Sequence, residues 1–133
     1  EYSKKIFKNN VTKIICISSI CGVESIDGAP IGYSIAKSAL NFYIKLISKE
    51  LANKNITING VVPGNIIFKG STWDLKIKKN YMKTKKYIKN NVPINNFGTP
   101  NDIFEVCKMI SENRSKFITG SLFKIDGGQT KGF

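Results

Sequence analysis

The sequence predicts an α/β fold, built as a parallel, doubly wound sheet with helices on both faces. Three observations indicate this fold. Short apolar runs rich in β-branched residues alternate with longer segments of helical periodicity. Pro-Gly or Gly-Gly pairs follow two of these runs, at 63–64 and 127–128. The run at 13–18 is continuously apolar, which is typical of a strand covered on both faces.

Strands and helices are expected in alternation along the chain. In the stretch "GTPND", Thr99 is the predicted N-cap, Pro100 the first helical residue and Asp102 the third, so a helix begins there. The segment 71–91 is lysine-rich and amphipathic, which predicts one helix with Trp73, Tyr81, Met82 and Tyr87 on its apolar side. The other expected elements are strands at 13–18, 56–62 and 119–125, the end of a helix at 1–10, and a long helix at 33–53.

The predicted topology brings three separate segments to one edge of the sheet. Parallel strands joined by right-handed crossovers have their carboxyl ends at the same edge, where ligands bind. Ser19 follows the first strand, residues 63–66 follow the second, and Tyr33 and Lys37 lie in the first turns of the helix between them. We expect these segments to form one crevice.

The Tyr33–Lys37 spacing suits proton transfer. Residues four apart share a helical face, and a phenol that ionises only near pH 10 is a poor base by itself. An ammonium roughly 4 Å away attracts a phenolate by about 4 kcal/mol at an effective dielectric near 20, before any discount for exposure. A second Y-x-x-x-K match, Tyr81 with Lys85, lacks an upstream strand serine and a downstream Pro-Gly. We interpret that second match as surface.

Five stretches together resemble a known family. The classical short-chain dehydrogenase/reductases are matched in order over nearly the whole chain, 3-oxoacyl acyl-carrier-protein reductases among them. This resemblance implies that the chain is the C-terminal half of a doubly wound, Rossmann-type sheet. The matching stretches are "IICISSICG" (14–22), "GYSIAKSAL" (32–40), "ITINGVVPGNI" (56–66), "FGTPNDI" (97–103) and "FITGSLFKIDGG" (117–128).

The resemblance also implies a role for each residue at the sheet edge. Ser19 would orient the substrate oxygen, Tyr33 would donate or accept the proton, and Lys37 would tune the tyrosine and bind the nicotinamide ribose. Ser19 is preferred to Ser18 because it directly precedes "ICG", and the two side chains of a strand point to opposite sides. The cofactor would be NAD or NADP, a choice that this half does not reveal. Its nicotinamide would contact the backbone of Pro63, Gly64, Asn65 and Ile66.

The family's N-terminal, dinucleotide-binding half has no counterpart in these residues. No G-x-G-x-x-G cluster is present, and the asparagine of the family's catalytic tetrad would fall before Glu1. We therefore expect residues 1–133 to be one partial domain that alone binds dinucleotide weakly or not at all and is inactive. Phe68 stands where many relatives have a threonine that contacts the cofactor. Ser71 and Thr72 are the alternative residues for that contact.

Composition excludes several other classes of protein. The net charge is +12, but 20 of the 21 basic residues are lysine, and Ile, Lys and Asn supply 55 of the 133 residues, as in AT-rich genomes. A nucleic-acid binder is therefore the weakest hypothesis. A zinc site is not expected, because there is no histidine and no CxxC spacing among the three cysteines. No apolar run is long enough for a membrane span, and the thiols indicate a reducing, cytoplasmic compartment.

Two segments predict partners. Beyond its first turn, helix 33–53 is apolar nearly all round, so it needs cover on both sides, one of them the sheet. The resemblance implies a partner subunit on the other side, since the family commonly forms dimers or tetramers through this helix. The insert, residues 65–95, is expected to form a substrate lid. It contains eight lysines and a single acid, Asp74. An anionic substrate would suit it, either a 3-oxoacyl thioester on a carrier or a nucleotide-linked or acidic sugar. Lysine enrichment of genomic origin is the alternative explanation, and a truncated, non-catalytic folding or oligomerising module is the alternative function.

Overall fold

The computed structural model describes residues 11–132 and confirms a parallel α/β architecture. The helix end expected at 1–10 lies outside the described residues. The described strands form one sheet in the order β1-β2-β3, and both pairings are parallel. Strands are β1 (Thr12–Ile17), β2 (Ile56–Pro63) and β3 (Leu122–Ile125), helices are α1 (Ile31–Leu51), α2 (Thr72–Lys79), α3 (Tyr81–Asn91) and α4 (Pro100–Glu112), and short 3₁₀ turns span Ile20–Gly22 and Ala52–Lys54.

The core follows the central strand β2. Val61 and Val62 are fully buried, and Val61 lies opposite Phe123 of β3 in the register. Strand β1 differs from the expectation of burial on both faces, since Ile14 and Ile17 are 37% and 47% exposed. The reason is positional, because β1 is the edge strand of the sheet that the described residues form.

Helices cover the two faces of the sheet. A Cβ built on Gly60 would lie 3.0 Å from Cδ1 of Ile44 in α1, so this residue faces α1. Its neighbour Asn59 instead borders a small cavity with Met109 and Ile110 of α4. Because successive residues of a strand point to opposite faces, α1 and α4 lie on opposite sides. The sheet is therefore doubly wound.

Two helices replace the single helix expected at 71–91. The break is at Asn80, whose extended backbone (φ −159°) ends α2 and whose side chain accepts the Lys83 N–H at 2.9 Å. A polar side chain in this position caps the following helix. The Thr84 hydroxyl donates to the carbonyls of Lys76 and Asn80 at 3.1 and 2.9 Å, which fastens α3 to α2. Amphipathic periodicity did not reveal this corner.

The start of α4 agrees with the sequence pattern. The Asp102 carboxylate accepts the Thr99 hydroxyl at 2.7 Å and the Thr99 N–H at 2.6 Å, with Pro100 as the first helical residue. These hydrogen bonds hold the pKa of the Asp102 carboxyl below its usual value. Just upstream, Gly98 pairs with Ile66 in a short parallel bridge, which closes the base of the insert.

Within residues 11–132, no helix combines the length and the apolar character that crossing a bilayer requires.

Candidate active site

The two serines after β1 have different surroundings. The Ser18 N–H extends the ladder by donating to the Val61 carbonyl at 2.7 Å, and its buried hydroxyl has no hydrogen-bond partner among the described residues. The Ser19 hydroxyl accepts the Cys21 N–H at 3.2 Å and so caps the 3₁₀ turn that follows. Ser19, unlike Ser18, borders the cleft described below.

The turn after Ser19 is docked against helix α1. The Gly22 carbonyl accepts the Ser38 hydroxyl and the Asn41 amide, both at 3.0 Å. A Cβ on Gly22 would lie 2.6 Å from the backbone carbonyl carbon of Lys37, so only glycine permits this close approach. This contact sets the position of the Ser19 turn relative to the first turns of α1.

Tyr33 and Lys37 lie on the same face of α1, as their spacing predicts. The Lys37 ammonium is 5.6 Å from the centroid of the Tyr33 ring and donates to the Ile17 carbonyl at 2.9 Å. Tyr33 is 45% exposed, whereas Lys37 is half-buried. The ammonium is thus held between the carboxyl end of β1 and the phenol ring.

The segment after β2 is fastened to the end of β3. The Gly64 N–H donates to the Ile125 carbonyl at 2.9 Å, and a Cβ on Gly64 would lie 2.7 Å from Cα of Asp126. The buried Asn65 amide donates to Oε1 of Gln129 at 2.7 Å. Glycine and asparagine at these positions therefore fix the backbone path after the strand.

Asp126 stabilises the turn that Gly64 and Asn65 rest on. Its carboxylate accepts the Thr130 hydroxyl at 2.6 Å, the Thr130 N–H at 2.9 Å and the Gly128 N–H at 3.0 Å. Burial raises the pKa of this carboxyl, but these hydrogen bonds and the nearby Lys124 charge outweigh burial and hold the pKa below its usual value. The turn is therefore tied together by an ionised carboxylate.

These segments border one cleft of about 700 Å³ at the carboxyl edge of the sheet. Its lining includes Ser19, Tyr33 and the segment 64–66, whereas Lys37 and Pro63 are not among the lining residues. The structure thus brings together Ser19 and Tyr33, which are far apart in the sequence, and places the Lys37 ammonium behind the phenol.

The insert (residues 65–95) forms one wall of the cleft. The sequence predicted a lid in this segment but did not predict the full set of side chains that line the cleft. Phe68, Ser71 and Thr72 were considered from the sequence for a cofactor contact, whereas Trp73 and Lys76 were not expected to line the cleft. The Ser71 hydroxyl accepts the N–H groups of Phe68 and Asp74 at 3.2 Å, so it caps α2. Lining side chains from the insert are Phe68, Ser71, Thr72, Trp73 and Lys76.

The cleft fits the nicotinamide–ribose end of a dinucleotide. Its lining includes two hydroxyl-bearing residues, Ser19 and Tyr33, the segment 64–66 and the apolar Phe68. Its rim is open at Gly28, where a Cβ would meet no heavy atom within 4 Å. A glycine-rich loop for the phosphates is not part of this sequence.

Comparison with known proteins gives the class. The family model described as enoyl-(acyl carrier protein) reductase matches residues 1–130. A 3-oxoacyl-[acyl-carrier-protein] reductase FabG of Rickettsia felis is 31% identical over 128 residues, covering 96% of this chain and 50% of that protein. The chain belongs to the short-chain dehydrogenase/reductase family. It spans about half the length of the curated relatives it matches.

Two solved structures share the fold. A 4-hydroxyisoleucine dehydrogenase complexed with NADH is 28% identical with a TM-score of 0.80, over 99% of this chain and 54% of that one. An NADPH-bound short-chain oxidoreductase of Pseudomonas aeruginosa PAO1 shares the fold, with a TM-score of 0.84 at 16% identity over 99% of this chain and 51% of that one. The first of these proteins is complexed with NADH and the second holds NADPH.

Proposed function

We propose that the complete gene product is an NAD(P)-dependent oxidoreductase that interconverts a carbonyl and an alcohol. The observation that carries this proposal is that Ser19 and Tyr33 border one cleft at the carboxyl edge of the sheet. Family membership supports it independently. Bound there, the dinucleotide would donate or accept the hydride.

The side chains would divide the proton chemistry among them. The Ser19 hydroxyl would hydrogen-bond the substrate oxygen and orient it. The Tyr33 phenol would give its proton to that oxygen during reduction and take it back during oxidation. The Lys37 ammonium, 5.6 Å from the ring centroid, would stabilise the phenolate and bind the ribose hydroxyls. The backbone of Pro63, Gly64, Asn65 and Ile66 would contact the nicotinamide.

The proposed substrate is an anionic carbonyl compound. Relatives named as 3-oxoacyl-[acyl-carrier-protein] reductases favour a 3-oxoacyl thioester, and a nucleotide-linked or acidic sugar is the second choice. The composition of the insert supports either substrate, because it contains eight lysines and a single acid, Asp74. Free thiols at all three cysteines are compatible with the cytoplasmic location that we propose.

The test uses the complete gene product with acetoacetyl thioesters and a panel of oxidised sugars. We expect loss of NADH or NADPH absorbance with at least one substrate. Dinucleotide binding without turnover on any of them would contradict the proposal. The 133 residues alone should not bind NADH or NADPH tightly in a fluorescence titration, because they contain no glycine-rich phosphate loop.

We also propose that a second copy covers helix α1. Its outward face is apolar and exposed, which a soluble monomer rarely shows over so long a helix. Light scattering on the complete protein should give a dimer or larger assembly at micromolar concentration, and a monomer would contradict this. Besides Tyr33, which borders the cleft, the exposed large apolar residues of α1 are Ile31, Ile35, Phe42, Tyr43 and Leu46.

A non-catalytic module is the second candidate function. The observation in its favour is that the chain spans only about half of its relatives while exposing the apolar face of α1. The DNA upstream of the Glu1 codon separates the two. An in-frame strand–turn–helix segment with a glycine-rich turn supports the enzyme, whereas a start codon there supports the module.

A further inference from the structure

A second depression lies on the insert and has no part in the proposed proton chemistry. It is a groove of about 450 Å³ between α2 and α3. Lys76 and Lys79 of α2 and Lys83 of α3 border it, together with the rings of Trp73 and Tyr87. We call it the lysine groove.

The corner between the two helices holds these lysines in place. The Thr84 hydroxyl, buried at the corner, bonds the carbonyls of Lys76 and Asn80. The Asn80 side chain at the same time caps α3 through the Lys83 N–H. Because both helix ends are tied together, the groove has a defined shape even though its lysines are exposed.

Aromatic rings form one side of the groove. The Trp73 and Tyr87 rings stack with centroids 5.1 Å apart at 29°, and Phe97 packs against Trp73 at 5.4 Å. The Lys76 ammonium lies 4.3 Å from the centroid of the Trp73 ring, a distance typical of a cation–π contact. The lysine is therefore oriented by the indole.

The charge of the groove is entirely positive. The only acid of the insert, Asp74, accepts the Lys78 ammonium and the Gly70 N–H, both at 2.8 Å. These contacts lower the pKa of Asp74, so it is ionised and already paired. Among the described residues, none of the groove's three lysines forms an ion pair.

The groove adjoins the cleft. Trp73 and Lys76 border both depressions. Tyr87 is also linked to the cleft wall, because its hydroxyl accepts the Gln129 amide at 3.4 Å and Gln129 in turn accepts the Asn65 amide at 2.7 Å. The cleft and the lysine groove therefore share a border at Trp73 and Lys76.

We propose that the lysine groove binds a phosphate group on the tail of the substrate while the reacting carbonyl lies in the cleft. The groove's charge matches a phosphate, which carries about −1.5 to −2 at neutral pH, better than a single carboxylate. Lysine binds phosphate as a point charge, without the fixed fork that arginine uses. The substrate part of this proposal rests on the proposed function, whereas phosphate binding does not.

The binding test titrates the complete gene product with inorganic phosphate by calorimetry at a constant ionic strength of about 0.1 M, where the Debye length is about 10 Å. The double variant Lys79→Gln/Lys83→Gln should raise the dissociation constant about five-fold, since each exposed ionic contact is weak. The matched control Lys86→Gln/Lys89→Gln removes the same charge from α3 outside the groove and should change it less than about two-fold. Equal effects of the two pairs, or no phosphate binding, would overturn the proposal.

The substrate test compares acetoacetyl pantetheine with acetoacetyl phosphopantetheine, which share the reacting group and differ by one phosphate. We expect KM to be about five-fold lower for the phosphorylated thioester, with similar kcat, and this advantage to vanish in Lys79→Gln/Lys83→Gln alone. Equal KM values in the parent protein would overturn the assignment. If neither thioester reacts, the proposed substrate fails, and the calorimetric comparison still decides whether the groove binds phosphate.

Discussion

Two tyrosine–lysine pairs with the same spacing occur in this protein, and their local geometry is nearly identical. The ammonium lies 5.6 Å from the ring centroid in the Tyr33–Lys37 pair and 5.7 Å in the Tyr81–Lys85 pair. Both pairs lie in the first turns of a helix, and both tyrosines are about half exposed, at 45% and 56%. By the local criteria of spacing and exposure the two are equivalent.

Their surroundings differ. Tyr33 borders the cleft beside Ser19, and Lys37 donates to the Ile17 carbonyl at the end of β1. Neither Tyr81 nor Lys85 is among the residues that line this cleft, and Lys85 is exposed. The comparison shows that helical spacing creates the pair, while the sheet edge behind it makes one pair a candidate for catalysis.

The largest expected effect separates the two phenols. Tyr33→Phe in the complete gene product should reduce kcat by about a thousand-fold, because it removes the proposed proton donor. Tyr81→Phe is the matched control and should leave kcat within about two-fold, since it removes an exposed hydroxyl. Initial rates of NADH or NADPH consumption measure both. Comparable losses of kcat in the two variants would show that Tyr33 has no catalytic role that Tyr81 lacks.

The second prediction separates the two ammonium groups. Lys37→Met should reduce kcat about a hundred-fold near neutral pH, since the phenolate loses its stabilising charge. Lys85→Met is the matched control and should keep kcat within about two-fold, because Lys85 does not line the cleft. Initial rates of NADH or NADPH consumption measure both, and equal losses in the two variants would contradict a role for the Lys37 ammonium beside the Tyr33 ring.

A third prediction concerns the close approach of Gly22 to the Lys37 backbone, which docks the turn after Ser19 against α1. Gly22→Ala should lower the free energy of unfolding by about 2 kcal/mol, because the new methyl meets the Lys37 carbonyl carbon. Gly32→Ala, one residue before Tyr33, meets no heavy atom within 4 Å and should be neutral or stabilise α1 by up to about 1 kcal/mol. Urea denaturation measures both, and equal stability of the two variants would exclude a structural role for the close approach.

The smallest expected effect concerns Asp126, in the turn that supports Gly64 and Asn65. Because the folded-state pKa of Asp126 is depressed, its carboxylate stabilises the fold above about pH 4, and this contribution is lost as the pH falls through the folded-state value. Asp126→Asn should therefore cost about 1 kcal/mol at pH 7, discounted for exposure, and less at about pH 3. Asp27→Asn, at an exposed position, is the control. A cost that does not vary with pH would contradict the ionised-carboxylate interpretation.

Much of the fold followed from local signals. The sequence correctly predicted the strand at 56–62, its end beside Pro63, and the helix after Thr99. Periodicity, turn residues and capping residues indicate these features because each acts over a few positions. The corner at Asn80 was missed, since an asparagine within an amphipathic segment reads as an ordinary polar position. Its capping role depends on the hydrogen bond to Lys83, which the pattern does not show.

The candidate site was predicted in part. Ser19, Tyr33 and the 64–66 segment border one cleft because the carboxyl ends of parallel strands share an edge of the sheet. The order of strands and helices in the sequence was enough to predict this. The position of the Lys37 ammonium on the Ile17 carbonyl, and the wall at Phe68 and Trp73, depend on side chains from distant segments. Such contacts are not determined by spacing.

The sequence by itself determined the alternation of strands and helices and the placement of a phenol and an ammonium on one helical face, because each depends on interactions among near neighbours in the chain. It also determined the family, because five stretches match in order along nearly the whole chain. Sequence context already favoured the Tyr33–Lys37 pair over the Tyr81–Lys85 pair. Only the tertiary structure decided which side chains of the insert line the cleft and which of its lysines share a groove. The physical reason is that a cleft forms from backbone segments brought together by the sheet, and its walls are set by packing across long sequence separations.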